Sequence, residues 1–316
     1  MNKKCLYCYK EIAPSTGTEF HEACSMVFFG TKEPPLLSYT LSQMAELARE
    51  VVERSIAVPG VQPKLSLSLV NDALTGINPT RLTVVGALGG NYILKPPSPL
   101  FSEMPENEHV TMRIAQAYGI RTVNSSLIRL QSGELSYITK RIDRKDNGEK
   151  IHMLDMFQIL EAFDKYKGSA EKIGNAIGKF SVNTLLDKLY YFELSVFCFL
   201  TGNNDMHLKN FSLIERGGGW TLSPAYDLLN VAIANPDDDE ELALTLDGRK
   251  KKLTRENFEN FGRALELNQK QIENAFKRIV KHKLDAVELI NNSFLSAEFK
   301  EKYLKFIEER YSRLLN

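Results

Sequence analysis

The chain has 316 residues, of which 43% are hydrophobic, and its 40 basic side chains are balanced by 40 acidic ones. This length and apolar fraction suffice for one large domain or two lobes, and they exclude a disordered chain. A chain with no net charge does not attract nucleic acid or an anionic membrane as a whole, so any such partner would have to bind a local basic patch. The apolar runs, such as Leu194 to Leu200, are far shorter than the roughly 20 residues of a membrane span. With no signal-like N-terminus, we expect a cytoplasmic protein.

Three of the four cysteines lie in the first 24 residues. Two residues lie between Cys5 and Cys8, and two lie between His21 and Cys24, so each pair can reach one ion. Four such ligands suit tetrahedral Zn²⁺, and full occupation by protein favours a structural knuckle over a catalytic metal. The alternative is a reduced segment in which the cysteines are small hydrophobic residues and His21 lies at the surface.

A helix is predicted from Leu41 to Arg54 by its 3.6-residue apolar spacing. A turn rich in proline and glycine follows and leads into the alternating strand Leu65 to Leu69. A turn before such a strand is typical of a loop that covers phosphates. The alternative is an ordinary loop and an edge strand, because Gly60 is its single glycine.

Lys95 ends the apolar strand Tyr92 to Lys95, and a lysine in such a position needs a partner. The predicted helix that opens at Met104 and continues to Tyr118 supplies one, because Glu108 would face Lys95. In a kinase, such a lysine contacts the nucleotide phosphates and a glutamate on the following helix. Alternatively Glu106 and Glu108 complement the helix dipole, and the two explanations are compatible.

The remaining elements divide the chain by type. Further strands are predicted at Arg81–Ala87, Val123–Ile128 and Glu134–Ile142. Helices are predicted at Met156–Phe163, Ala170–Phe180, Asn183–Leu200, Arg255–Leu265, Asn268–Lys283 and Ser296–Leu315. This order predicts an α+β, two-lobed kinase-like fold, with a knuckle and linker at 1–35, a sheet-rich N-terminal lobe at 36–142 and a helical C-terminal lobe at 143–316.

The polar stretch Thr201 to Ser212 follows the buried helix predicted to end at Leu200. Asp205 and Asn210 are five positions apart, the offset between the catalytic aspartate and the metal-binding asparagine of a kinase catalytic loop. A second acid, Asp227, follows two short strand-like segments. The alternative is a polar turn in which Asn and Asp occur because they favour turns.

Phosphoryl transfer explains why these residue types are needed. Asp205 would orient the attacking hydroxyl and accept its proton. Asn210 and Asp227 would hold Mg²⁺ through hard oxygen ligands, while His207 and Lys209 would lend positive charge or brace the loop.

Six motifs in this order resemble the HipA family of bacterial serine/threonine kinases, the toxins of toxin–antitoxin operons, from about Ser55 onward. The segments are Val61–Ser66 (phosphate loop), Tyr92–Lys95 (ATP lysine), Pro105–Glu108 (helix start), Lys140–Arg144 (hinge), Asn204–Asn210 (catalytic loop) and Ser223–Asp227 (metal-binding acid). The resemblance implies ATP and Mg²⁺ as cofactors. It implies nucleotide contacts at Gly60, Val61, Lys64, Lys95, Glu108, Lys140, Ile142, Asn210 and Asp227.

Two departures from the family pattern concern regulation. The long members autophosphorylate a serine three positions before the loop glycine, which is Ala57 here, so Ser55 is the remaining candidate. The chain also begins roughly a hundred residues later than the long kinases. In this it is similar to HipT, a short kinase whose missing subdomain is a separate protein, HipS, beside the DNA-binding HipB.

The resemblance implies a kinase that phosphorylates a cytosolic protein, with an aminoacyl-tRNA synthetase as the candidate, and arrests growth. HipB-like and HipS-like antitoxins are the implied partners. One alternative is a non-catalytic DNA-binding or regulatory module that uses the knuckle and the basic residues from Lys277 to Lys283. Its neutral charge argues against strong direct DNA binding. A small-molecule kinase is a further alternative.

Overall fold

A computed structural model describes residues 3–54, 64–70, 80–85, 89–145 and 147–315. The chain divides into two compact units. The first unit comprises Met1–His109, Val123–Glu149 and Asn292–Phe294, and the second comprises Val110–Thr122, Lys150–Asn291 and Leu295–Asn316. Ser55, Gly60 and Val61 of the predicted phosphate loop lie outside the described residues. The domain boundaries at 35 and 142 stay predictions.

The first unit contains an antiparallel sheet in which the described strands have the order β2-β1-β3-β5-β4. The strands are β1 (Leu65–Val70), β2 (Arg81–Val84), β3 (Tyr92–Lys95), β4 (Ser125–Arg129) and β5 (Leu135–Lys140). Strand β2 covers the first four residues of the predicted strand Arg81–Ala87, and Gly86 and Ala87 of that prediction lie outside the described residues. The alternating apolar residues of β1 and β3 bury Leu67 and Leu94 completely, so these strands form the centre of the sheet and of its core.

Among the described residues of the first unit, three helices begin. They are α1 (Glu22–Phe29), α2 (Leu41–Arg54) and α3 (Met104–Ala117), the last of which continues into the second unit. Phe28 of α1 and Met44 of α2 are buried in one apolar cluster with residues of β1, β3 and β4. Sequence periodicity missed α1, a helix of only 8 residues that ends at Gly30 in the left-handed conformation, with φ of 79°.

The second unit combines a small sheet with helices. Its described strands, in the order β6-β7-β8, are β6 (Met153–Asp155), β7 (Ser212–Arg216) and β8 (Gly219–Leu222). Its helices are α4 (Met156–Ile159), α5 (Ala170–Phe180), α6 (Thr184–Thr201), α7 (Val231–Ala234), α8 (Arg255–Ala264), α9 (Gln269–Lys281), α10 (Lys283–Asn292) and α11 (Ala297–Leu315). Helix α6 is buried continuously from Tyr191 to Thr201, as expected for a helix that is apolar on all sides.

Two predicted helices extend at least two residues beyond the observed C-terminal ends. The predicted Met156–Phe163 ends at Ile159, because Glu161 adopts a left-handed conformation with φ of 50° that cannot continue a helix. The helix predicted from Asn268 to Lys283 is α9, which ends at Lys281, and the next helix, α10, begins at Lys283. Among the described residues, none of the helices is both long enough and apolar enough to span a bilayer.

Candidate active site

Lys95 and Glu108 form a buried ion pair in the first unit. The Lys95 Nζ donates to both carboxylate oxygens of Glu108, at 2.6 and 2.8 Å. Lys95 is 4% exposed and Glu108 is 1% exposed. The Lys95 ammonium also lies 5.4 Å from the ring centroid of Tyr137, which is opposite it on β5. The predicted pairing of the strand lysine with the helix glutamate is therefore present.

Glu106 lies in the first turn of the same helix and has a different environment. Burial is the main reason that its pKa is raised from 4.5 to about 7, and Glu103 adds a smaller repulsion. Because the folded state then holds the Glu106 proton more tightly than the unfolded state, ionisation of this group opposes folding. Stability is therefore lost as the pH rises from about 4.5 to about 7.

We expect Glu106→Gln to be more stable than the wild type at pH 8, by about 1–3 kcal/mol. The difference should vanish below about pH 4.5, where both side chains are neutral. Urea denaturation across this pH range measures it, with Glu46→Gln on the exposed face of α2 as the control. A pH-independent difference for Glu106→Gln would show that Glu106 does not titrate in this window.

Three other predicted nucleotide contacts have described positions in the first unit. Lys64 is exposed directly before β1, Lys140 ends β5, and Ile142 is half-buried in the following turn. The turn is held by Arg141, whose guanidinium pairs with Asp143 at 2.7 Å. The backbone N–H of Arg141 donates to the Asn91 carbonyl at 2.9 Å, so the predicted hinge segment is tied to the chain just before β3.

In the second unit, helix α6 ends at Gly202, where the polar loop begins. Gly202 has φ of 69°, and a Cβ at this position would lie 2.7 Å from Asn230 Oδ1 and 2.7 Å from a ring carbon of Phe306. The residue therefore has to be glycine for two reasons, the left-handed backbone and the lack of space. This close approach sets the direction in which the chain enters the loop.

We expect Gly202→Ala to lower the free energy of unfolding by about 1–2 kcal/mol for the left-handed conformation. Overpacking against Asn230 and Phe306 should add about 1–3 kcal/mol. Gly217→Ala is the matched control, since Gly217 also has positive φ, of 61°, but an added Cβ would meet nothing within 4 Å. Equal urea midpoints for the two variants would contradict the packing argument.

Asp205 is surrounded by hydrogen bonds that fix the loop. The Tyr166 hydroxyl donates to Asp205 Oδ1 at 2.8 Å. The Asn210 side-chain amide donates to the Asp205 carbonyl oxygen at 3.1 Å, and the His207 N–H donates to the same oxygen at 2.8 Å. The side chain of Asn210 is thus hydrogen-bonded to the backbone of Asp205, and the Asp205 carboxylate accepts a hydrogen bond from the Tyr166 hydroxyl.

His207 and Lys209 brace this loop. His207 is buried, and this burial is the main reason that its pKa is lowered from 6.5, so the ring is largely neutral near pH 7. His207 Nδ1 accepts a hydrogen bond from the Lys209 N–H at 3.3 Å. The Lys209 ammonium lies 4.7 Å from the centroid of the Phe157 ring. For His207, this geometry favours the bracing function over a source of positive charge.

Asp227 has a strained backbone, with φ of 63° in the left-handed region. Such strain in a residue other than glycine is concentrated at functional sites. The Asn203 side-chain amide donates to the Asp227 carbonyl at 3.3 Å, and the Tyr226 hydroxyl donates to the Lys209 carbonyl at 3.1 Å. Both contacts tie the Asp227 segment to the polar loop that carries Asp205 and Asn210.

Sequence reasoning missed the three residues that make these contacts, Tyr166, Asn203 and Tyr226. Tyr166 precedes Asp205 by 39 residues, and its own segment carries no motif. Burial, followed by the hydrogen bond to the Asp205 carboxylate, raises the pKa of the Tyr166 hydroxyl, so this group stays a donor. Asn203 and Tyr226 are adjacent to recognised motif residues, and that proximity was the available signal.

The predicted metal ligands near the N-terminus also come together. Cys5, Cys8, His21 and Cys24, called the Cys/His cluster below, have one ligand atom each, and these atoms lie within 4.8 Å of one another. The cluster belongs to the first unit.

The curled antiparallel sheet with its helix-borne Glu108, and the helical unit with its polar loop, define an α+β protein-kinase-like fold. Comparison with known families gives a narrower assignment. Residues 56–287 match the family described as the HipA-like C-terminal domain, and the chain belongs to that family.

Individual relatives and a solved structure agree with this family. The chain is 25% identical over 292 residues to a Haemophilus influenzae protein named "Putative kinase", covering 83% of this chain and 82% of that protein. It is 25% identical over 213 residues to the serine/threonine-protein kinase toxin HipA of Shewanella oneidensis, covering 61% of this chain and 47% of HipA. A solved complex of Shewanella oneidensis HipA, HipB and operator DNA matches with a TM-score of 0.66 and 20% identity, over 89% of this chain and 74% of the solved chain.

Proposed function

We propose that this protein is an ATP-dependent serine/threonine protein kinase. Lys95 would hold the nucleotide phosphates, and Asn210 and Asp227 would supply oxygen ligands to Mg²⁺, which neutralises phosphate charge when bound. Asp205 would orient the substrate hydroxyl and accept its proton. The donor set fits this chemistry, because an amide and a carboxylate are hard ligands and a lysine ammonium complements phosphate.

The buried Lys95–Glu108 ion pair is the observation that carries this proposal. Removing two charges from water is expensive, and a buried pair of this kind adds little net stability compared with apolar residues of similar size. Its presence at the end of a central strand is therefore better explained by a ligand. A bidentate carboxylate fixes the direction of the ammonium, which is what an electrostatic contact to phosphate requires.

The hydrogen bond from Tyr166 to Asp205 supports the role proposed for the acid. A tyrosine O–H is a hydroxyl donor, the same group that a serine or threonine substrate would present. Asp205 accepts it at 2.8 Å, within the range needed for a general base. The carboxylate is thus oriented to receive a hydroxyl proton, as the proposed transfer demands.

The finer assignments rest on the family. We propose that the substrate is a cytosolic protein, with an aminoacyl-tRNA synthetase as the candidate, that its phosphorylation arrests growth, and that Ser55 is autophosphorylated. A HipB-like antitoxin is a proposed partner, since the matching solved structure is a complex of HipA with HipB and operator DNA. A HipS-like antitoxin is proposed only from the resemblance to the short kinase HipT. Gly60, Val61, Lys64, Lys140 and Ile142 are the remaining proposed nucleotide contacts.

A binding experiment separates the kinase from the DNA-binding alternative. For the kinase, we expect ATP with Mg²⁺ to raise the melting temperature of the full chain, because a ligand that binds only the folded state stabilises it. A DNA-binding module would instead shift the mobility of duplex DNA without partner proteins, in a salt-dependent manner. No thermal response to ATP together with such a shift would refute the kinase.

A further inference from the structure

We propose that the Cys/His cluster binds one structural Zn²⁺ ion, which holds the N-terminal segment against β4 and the start of α3. The sequence supplies the ligand types, and the folded chain supplies their arrangement. Three cysteines and one histidine are a closed set for tetrahedral zinc, with no position left for substrate.

The distances between ligand atoms have the size that zinc requires. Bonds of about 2.3 Å from zinc to sulfur and about 2.0–2.1 Å to nitrogen place neighbouring S and N atoms of a tetrahedron roughly 3.6 Å apart. His21 Nδ1 lies 3.4 Å from Cys8 Sγ and 3.7 Å from Cys24 Sγ. These two distances match the spacing of zinc ligands, and all four ligand atoms lie within 4.8 Å of one another.

The orientation of His21 is a second, independent observation. Its other ring nitrogen, Nε2, lies 3.0 Å from the carbonyl oxygen of Glu11 and can only donate to it. A proton on Nε2 leaves Nδ1 with a lone pair directed at the cysteines. Metal-binding histidines are typically fixed by such a hydrogen bond from the outer nitrogen to a backbone carbonyl.

The backbone around the first two cysteines is bent to bring their sulfurs together. The Tyr9 N–H donates to the Cys5 carbonyl at 3.0 Å, and the Cys5 N–H donates to the Lys10 carbonyl at 2.9 Å. Tyr9 has φ of 66°, an uncommon conformation for a bulky residue. Metal binding would offset this strain, because the bend directs both side chains to one point.

The cluster is connected to the rest of the first unit by the residues that follow its cysteines. The Leu127 N–H of β4 donates to the Leu6 carbonyl at 3.3 Å. The Tyr9 hydroxyl lies 2.8 Å from His109 Nδ1, and both side chains are buried. His109 is the residue after Glu108, so a fixed Tyr9 positions the helix turn that carries the partner of Lys95. The position of this helix turn follows from the contacts alone, and only an effect of it on ATP binding would rest on the proposed function.

Metal analysis of the full chain, purified without chelators, tests the site. We expect about one zinc per chain. Cys8→Ser and Cys24→Ser should lose it, whereas Cys198→Ala should keep it, since Cys198 is a buried cysteine of α6 outside the cluster. If the serine variants do not fold, the absorption spectrum of demetallated wild type with added Co²⁺ tests the site instead. We expect the intense visible bands of tetrahedral cobalt and a thiolate charge-transfer band. If these bands and bound zinc were both absent, the proposal would be overturned.

Hydrogen exchange tests the connection to α3 without any activity measurement. Chelation of zinc should speed amide exchange in residues 3–29 and in the first turns of α3, while α5 serves as the control within the same chain. Tyr9→Phe should keep zinc but accelerate exchange at the start of α3, by roughly two- to tenfold for one lost hydrogen bond. If exchange changed only in residues 3–29, the cluster would not stabilise the start of α3. These results do not depend on whether the protein transfers phosphate.

Discussion

Replacing Asp205 with asparagine is expected to slow phosphoryl transfer by about 10²–10⁴-fold, the typical contribution of a general base. Asparagine keeps the shape of the side chain and can still accept from the Tyr166 hydroxyl, which donates to Asp205 Oδ1 at 2.8 Å. It cannot take a proton from a substrate hydroxyl. The fold and the affinity for ATP with Mg²⁺ should therefore be preserved.

Asp227→Asn should behave differently, because Asp227 is proposed to bind the metal. Loss of a charged oxygen ligand should weaken the binding of ATP in the presence of Mg²⁺ and leave binding without Mg²⁺ unchanged. Calorimetric titration of both variants with ATP, in the presence and absence of Mg²⁺, measures these affinities. Asp237→Asn, an exposed acid in the same unit, is the control. If Asp205→Asn lost Mg²⁺-dependent binding and Asp227→Asn kept it, the two roles would have to be exchanged.

Removing only one partner of the Lys95–Glu108 pair should have the largest effect on stability. Glu108→Leu leaves the ammonium of Lys95 buried at 4% exposure without its carboxylate. Breaking a buried pair in this way typically costs about 3–5 kcal/mol. We expect a corresponding decrease in the free energy of unfolding, measured by urea denaturation.

The double variant Lys95→Met with Glu108→Leu separates stability from function. Apolar residues of similar volume replace both charges, so stability should return to about the wild-type value or exceed it. Phosphoryl transfer should stay lost in the double variant, because no ammonium remains to contact phosphate. A double variant that transfers phosphate at the wild-type rate would show that the pair is structural.

Much of the fold was predictable from local patterns. Helix α5 has the predicted bounds, Ala170–Phe180, because its apolar period is regular and Ser169 caps its N-terminus. The strand Tyr92–Lys95 and the pairing of Lys95 with Glu108 were predictable for another reason. A lysine in an apolar strand requires a carboxylate nearby, and the next helix supplies one.

The rest depended on contacts between distant residues. Nothing in the sequence connects Tyr166 with Asp205, or Tyr9 with His109, which are 100 residues apart. The end of α4 was mispredicted because Glu161 adopts a left-handed conformation that its residue type does not favour. The strain at Asp227 also has no local signature. Spacing thus identified the acids of the candidate site, and the tertiary structure identified the groups that hold them.

Transfer of labelled phosphate is the most direct test of the kinase assignment. The folded wild type and the folded Asp205→Ala variant would each be incubated with γ-labelled ATP, Mg²⁺ and a cell extract. We expect label on serine or threonine of an extract protein with the wild type, and a signal at least about 10²-fold weaker with the variant. Equal labelling by the two proteins, or none above the extract alone, would contradict it.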